Sequence, residues 1–277
     1  MSPSSTSGAQ RSDHDVSPGL ALVTGGAKRI GAAIATRLVA QGWRVAIHYR
    51  ASKSDADALA RALTANATGP GSAFTVGGDL ADASAIAPLF EALEHEGPGP
   101  CRCLINNASL YEDDTLETLS AETWDAHLNL NLRAPVLLAQ AFARALSAAG
   151  PIDPDATTSD AGPTHATIIN IIDQRVWNLT PAFFSYTTSK AGLWAVTQML
   201  AQALAPHVRV NAIGPGPVLA NIHQTAAMFE DEARTTPLGR AVSPEEIAQA
   251  VAFILDAPSM TGQMIALDAG QHLPPVT

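Results

Sequence analysis

From Leu20 onward, short and almost wholly apolar runs alternate with longer amphipathic ones. The short runs read as strands at Leu20–Thr24, Arg44–His48, Ala73–Val76, Cys103–Asn106, Ala166–Ile172, Val208–Ile213 and Met264–Leu267. Between them, the pattern predicts helices at Gly31–Gln41, Ala56–Thr64, Ala85–Glu94, Thr123–Leu146, Ser185–Ala205 and Pro244–Leu255. The apolar positions of the first helix are Ile34, Leu38 and Val39. Pro135 marks a point at which the long fourth helix can bend. Strands alternating with helices imply crossover connections and a parallel sheet. Strands that are apolar on both sides agree, because a parallel sheet is covered by helices on both faces. The expected architecture is α/β: a doubly wound, seven-stranded parallel sheet flanked by helices, in one domain over residues 20–277.

Three segments break the rhythm. Residues 1–19 are rich in Ser, Asp, Gly and Pro and contain no apolar stretch of the secretory kind, so they are expected to form a disordered tail. Gly150–His165 carries Pro, Asp, Thr and Gly and reads as a mobile surface loop. Ala220–Thr236 is polar and falls near the expected mouth of the site. A substrate lid and a plain long loop are both open readings there.

Composition narrows the classes. With 47% hydrophobic and 15% charged residues, the 277-residue chain can bury a sizeable core. The formal net charge of −10 disfavours nucleic acid and anionic membrane as partners. No stretch approaches the roughly 18 apolar residues that a membrane span needs. An anionic cofactor would need its own local basic site. The two cysteines, Cys101 and Cys103, lack the number and spacing of a zinc site or a disulfide framework. They read as buried strand residues in a chain suited to a reducing cytosol, and no metal is expected.

The first strand runs into Thr24-Gly25-Gly26-Ala27-Lys28-Arg29-Ile30-Gly31 and then a helix. Glycines at a strand–helix turn let the backbone approach a pyrophosphate, whose charge the helix N-terminus favours. This is the Rossmann arrangement. The second strand ends in His48-Tyr49-Arg50-Ala51-Ser52. An NAD-binding chain usually has Asp or Glu there for the ribose hydroxyls. Arg50, Ser52 and the turn cations Lys28 and Arg29 suit a 2′-phosphate instead, so NADPH is the expected cofactor. Asp79-Leu80 after the third strand can meet the adenine. Asn107-Ala108-Ser109 follows the fourth strand.

Tyr186 and Lys190 lie four apart on a predicted helix and so share a face. A neighbouring ammonium favours the phenolate, which is expected to bring Tyr186 toward neutrality as an acid or base. The spacing alone is weak evidence, since Tyr49 and Lys53 repeat it where no helix is established. Asp173, 13 residues before Tyr186, and Asn131, after the fourth strand, supply the context.

Taken together, the Thr24–Gly31 turn, Asn106-Asn107-Ala108, Asn131, Tyr186-x-x-x-Lys190, and Asn211 with Pro215-Gly216 resemble the short-chain dehydrogenase/reductase family from about Leu20 to the C-terminus. The resemblance implies that Tyr186 is the proton donor and that Lys190 binds the nicotinamide ribose. It further implies that Asn131 holds a relay water and that the stretch from Pro215-Gly216 lines the nicotinamide. Arg29 stands where the family's second glycine usually sits, and Asp173 where its catalytic serine sits. Both departures, with Lys28, the His48–Ser52 run and Ser109, resemble the pteridine reductase branch, in which an aromatic at the place of Tyr111 stacks on the pterin. The implied function is hydride transfer to a pterin C=N bond, with Arg29, Ser109, Tyr111, Asp173 and Tyr186 toward the substrate. Phe183-Phe184 reads as pocket or core wall. A reductase of ketones or keto-acyl thioesters, and a non-catalytic NADPH-binding regulator, are the competing readings. The resemblance also implies a cytoplasmic homo-oligomer, a tetramer or dimer, paired through the helices Thr123–Leu146 and Ser185–Ala205.

Overall fold

In a computed structural model, residues 18–96, 99–150, 166–221 and 224–273 are described. Most of the tail and of the Gly150–His165 loop expected from the sequence lies outside the described residues. Seven parallel strands form one sheet in the order β3-β2-β1-β4-β5-β6-β7. They are β1 (Leu20–Val23), β2 (Arg44–Tyr49), β3 (Ser72–Gly77), β4 (Cys101–Asn106), β5 (Ala166–Ile171), β6 (Val208–Pro215) and β7 (Met264–Leu267). The helices are α1 (Arg29–Ala40), α2 (Lys53–Ala65), α3 (Ile86–His95), α4 (Ala121–His127), α5 (Ala134–Ala148), α6 (Phe184–Ala203), α7 (Ala226–Thr235) and α8 (Pro244–Leu255).

Alternation along β1 explains its unbroken apolar sequence. Ala21 and Val23 face a core built with Ile34, Leu38, Ile247 and Val251 of α1 and α8. Leu20 and Leu22 face the opposite core, built with Leu93, Leu138 and Phe142 of α3 and α5. Each face buries large side chains at essentially zero exposure. At about 1.5–3 kcal/mol for each such side chain, this burial is the main force holding the layers together. Cys101 and Cys103 are buried and unpaired on β4, and burial pushes the Cys101 thiol up to about 12. No helix among the described residues is long and apolar enough to cross a membrane.

The sheet reverses its winding between β1 and β4, which pair in parallel through Leu22 opposite Leu104 and Val23 opposite Ile105. Ligands in open α/β sheets bind at the carboxyl ends of the strands at such a reversal.

Two expectations are corrected. The region Thr123–Leu146 is not one α-helix: a π-helical turn, Leu128–Arg133, separates α4 from α5. Pro135 has no N–H to give the Asn131 carbonyl, so the ladder shifts, and the Ala134 N–H bonds Asn129 O five residues back. Ala220–Thr236 is not purely loop, because it contains α7. Thr225 caps α7 by accepting from the Met228 N–H, but only Ala233 of the helix is buried. Its sequence is polar on average, so it reads as a surface segment.

Candidate active site

The glycine turn is held from three sides. Thr24 Oγ1 donates to Ile105 O at 3.1 Å and accepts from the N–H groups of Asn107 and Ala108 at 2.9 and 3.0 Å. Asn107 Nδ2 donates to Thr24 O and Gly25 O at 2.9 and 3.1 Å. His48 Nδ1 accepts from the Gly25 N–H at 3.2 Å, which fixes the proton on Nε2, 3.0 Å from Gly78 O. Burial lowers the His48 pKa, so the ring stays neutral and braces the turn with both nitrogens engaged. The side chains of Asn107 and His48, expected at the cofactor, thus hold its cradle. A side chain on Gly31 would meet Gly25 O at 2.3 Å, so the backbone approach there demands glycine.

Basic groups stand at the two turns that follow β1 and β2. Lys28 caps α1 at its N-terminus without a side-chain cap bond, and Arg50 and Ser52 lie just past β2. Arg50 is exposed and has no hydrogen-bond or ion-pair partner among the described residues. Tyr49 packs its ring against Gly77 and has Lys53 5.8 Å above the ring. Asp79 is exposed and turns back to accept from the Ala81 N–H, while Leu80 is buried.

Arg29 adopts φ 54°, the left-handed region that favours glycine. Its guanidinium donates to Ala220 O at 2.9 Å and Leu219 O at 3.0 Å, reaching across to the segment that leads into α7. Gly216 lies at the end of β6, where a side chain would meet Asp268 Cα at 2.6 Å.

A cavity of about 260 Å³ opens beside the cradle, with Arg29, Tyr111, Asp173, Tyr186, Lys190 and Pro215 in its wall. Tyr186 OH donates to Asp173 Oδ2 at 2.9 Å, and the Arg175 N–H donates to Oδ1 at 2.9 Å. Asp173 therefore caps the 3-10 turn Gln174–Trp177 and holds the phenol at once. Burial pushes the Asp173 carboxyl up. Burial first, then the Asp173 charge and hydrogen bond, push Tyr186 well above 10. This reverses the expectation that Lys190 draws the phenol toward neutrality. Lys190 Nζ is buried, donates to Ile171 O at 2.9 Å and lies 5.7 Å from the Tyr186 ring centroid. Burial lowers its amine to about 8.

Asn131 is buried in the π turn. Its Oδ1 accepts from the Leu110 N–H and the Ser109 hydroxyl at 2.8 and 3.2 Å, and its Nδ2 donates to Leu110 O and Ser189 Oγ at 3.0 and 3.1 Å. The side chain thus has its donors and acceptors all engaged within the protein. It clamps the loop that carries Tyr111. The Tyr111 ring stacks on Phe183 (4.5 Å, 18°) and meets Tyr186 edge-on (4.6 Å, 87°).

Sequence reasoning missed several groups. Arg175 lies 4.8 Å over the Phe183 ring. Glu232 of α7 accepts from Gln224 at 2.6 Å and Gln271 at 3.4 Å at the cavity mouth. Beneath the site, His127 Nδ1 donates to Ser185 Oγ at 2.6 Å, and Ser185 Oγ donates to buried Asp114. Nothing in the spacing of these residues announces them. Asp55, 2.9 Å from Lys28, resembles any acidic residue in a first helical turn.

Residues 25–272 match the family model described as enoyl-(acyl carrier protein) reductase. An uncharacterized oxidoreductase of Methylorubrum extorquens is 33% identical over 91% of this chain and 96% of its own. The chain belongs to the short-chain dehydrogenase/reductase family. Among its relatives, pteridine reductase 1 of Leishmania tarentolae is 30% identical over 92% of this chain and 96% of its own. Among solved structures of similar reductases, FolM alternative dihydrofolate reductase 1 from Brucella canis, complexed with NADP, is 40% identical. It superposes with a TM-score of 0.84 over 96% of this chain and 98% of its own. The order of the seven strands and the single parallel sheet agree with the fold expected from the sequence.

Proposed function

We propose that this short-chain reductase uses NADPH to reduce the C=N bond of a dihydropterin. The observation that carries the reading is the hydrogen bond from Tyr186 to Asp173. A serine at residue 173 would suit a ketone oxygen. A carboxylate there suits a ring edge rich in N–H donors, such as the amino-pyrimidine of a pterin. The similarity to a pteridine reductase and to an alternative dihydrofolate reductase supports the same substrate class.

The cradle fits the cofactor. Gly25, Ile30 and Gly31, with the open N-terminus of α1, suit its pyrophosphate. Lys28, Arg50 and Ser52 suit the 2′-phosphate, and Asp79 and Leu80 the adenine. Ala108, Ser109, Lys190, Pro215 and Gly216 suit the nicotinamide half. When bound, NADPH supplies a hydride to the carbon of the C=N bond. Tyr186, kept protonated by burial and Asp173, gives the proton to the nitrogen. Lys190 holds the ribose and keeps positive charge beneath Tyr186. Arg175 and Phe183 hold Tyr111 in place beside Tyr186, as a wall against which a flat ring can stack. Arg29 contributes charge toward the phosphates and ties the segment before α7 over the cavity. The same reading makes α7 part of a substrate lid, residues 20–277 one catalytic domain, and the enzyme a cytoplasmic homo-oligomer, a tetramer or dimer, paired through α4, α5 and α6.

The test is cofactor oxidation by purified protein, with dihydropterins compared against ketones and keto-acyl thioesters. Turnover of dihydropterins is expected. Turnover of carbonyls alone would keep the cofactor and discard the pterin.

A further inference from the structure

The sequence places no carboxylate at the end of β2, yet the fold brings one from α2 to the cation at the glycine turn. Asp55 Oδ2 lies 2.9 Å from Lys28 Nζ, with both side chains about half exposed. Asp55 is the third residue of α2, where an acidic side chain commonly reaches back to the N-cap amide in a capping box. Here the box is not formed. The N-cap Ser52 makes no side-chain cap hydrogen bond, and the Asp55 carboxylate leaves its own helix end for the cation on α1. Of the two cations assigned to the 2′-phosphate, Lys28 thus already carries a counter-charge. Arg50 has no such partner among the described residues.

A 2′-phosphate that binds Lys28 must share it with or displace Asp55, and it feels that carboxylate as a like charge. An unphosphorylated ribose has the opposite experience: its hydroxyls can donate to Asp55. We propose that Asp55 sets the cofactor selectivity of the enzyme, screening Lys28 against the 2′-phosphate and offering the ribose hydroxyls an acceptor. This rests on the NADPH reading given above. The residue restrains the preference for the phosphorylated dinucleotide. Lys28 and Arg50 create that preference.

The test is calorimetric binding of two fragments, 2′,5′-ADP and 5′-AMP, to wild type and Asp55→Asn. It needs neither turnover nor a pterin. Removing a negative charge that competes with a doubly charged phosphate for Lys28 is expected to tighten 2′,5′-ADP binding on the order of tenfold at low ionic strength. The gain should shrink as salt is added. Binding of 5′-AMP should stay level or weaken. Unchanged 2′,5′-ADP affinity, or equal tightening of both fragments, would overturn the proposal. A purely structural role for Asp55 at the start of α2 would move both fragments together. In a Lys28→Gln background, Asp55→Asn should give a smaller gain, since only the direct repulsion is then relieved, and a gain of undiminished size would count against the screening of Lys28. If wild type itself fails to prefer 2′,5′-ADP to 5′-AMP, the NADPH reading falls first. If wild type prefers it and Asp55→Asn does not change the preference, only the role of Asp55 falls.

Discussion

Tyr186 and Asp173 meet across a single hydrogen bond of 2.9 Å, phenol to carboxylate, and burial raises the pKa of both groups. The pair therefore holds its proton at neutral pH, which is what a donor to a reduced C=N nitrogen requires. Replacing Asp173 with Ser removes the acceptor from Tyr186 and the carboxylate from the cavity. Turnover of dihydropterins by Asp173→Ser is expected to fall about ten- to hundredfold, the scale of one charge-assisted hydrogen bond. The fold should survive, because serine can still cap the following turn. Steady-state rates beside a circular-dichroism melt check this, and full retained activity would remove Asp173 from the site.

Lys190 gives the pH dependence its sign. Burial lowers its pKa from 10.5 to about 8 in the folded chain. Between those values the unfolded chain binds a proton that the native chain lacks, so this residue's contribution to stability rises with pH across that window. Tyr186 acts oppositely. Its raised pKa lets the native chain keep a proton above pH 10 that the unfolded chain loses, so its contribution falls there. In kcat/KM, which reports the free enzyme, activity is expected to decline as pH passes about 8 and Lys190 loses its charge. Melting temperatures of Lys190→Met against wild type should show the variant relatively more stable below pH 8, with the gap closing toward 10.5. A gap independent of pH would mean that Lys190 is not the titrating group.

Much of this is legible in the sequence. The strands came through because residues such as Leu22 and Val23 face different cores yet are both apolar, a pattern few other elements share. The glycine turn and the pair Tyr186 and Lys190 were visible because their chemistry depends on local spacing. What stayed hidden depends on contacts between distant segments. Asn131 could be found, but not that Leu110 and Ser189 take up its amide. Arg29 could be found, but not its reach to Leu219 and Ala220, 190 residues away. Helix α7 was missed because its sequence is polar on average and it buries only Ala233, so it reads as part of a polar surface segment.

Asn131 offers a separation of roles. Its side chain makes four hydrogen bonds to the Ser109–Leu110 loop and Ser189. Asn131→Ala leaves the Leu110 N–H without its partner in a partly buried place. A loss of about 1–3 kcal/mol of stability is expected, with lower activity as Tyr111 loses its support. Urea denaturation beside steady-state rates checks both. Activity lost at unchanged stability would point instead to a direct part for this side chain in proton transfer.

Arg29 pits backbone strain against function. A non-glycine residue at φ 54° costs on the order of 1 kcal/mol. Arg29→Gly removes that strain, and the greater freedom of glycine in the unfolded chain offsets about 0.4–1 kcal/mol of the gain. The two hydrogen bonds to Leu219 and Ala220 are exposed, so their loss adds little. The variant is therefore expected to match the parent in stability to within about 1 kcal/mol, while NADPH and pterin bind more weakly. The segment from Leu219 into α7 should exchange its amide hydrogens faster once the guanidinium no longer holds it. Hydrogen exchange and calorimetric titration on the same preparation can separate the two effects. Weaker binding with unchanged exchange would assign Arg29 to the ligands alone, and faster exchange with unchanged binding would make it only a tether for the lid. A loss of several kcal/mol in stability would contradict both, since the strained turn would then be supported by contacts that the exposed guanidinium does not show.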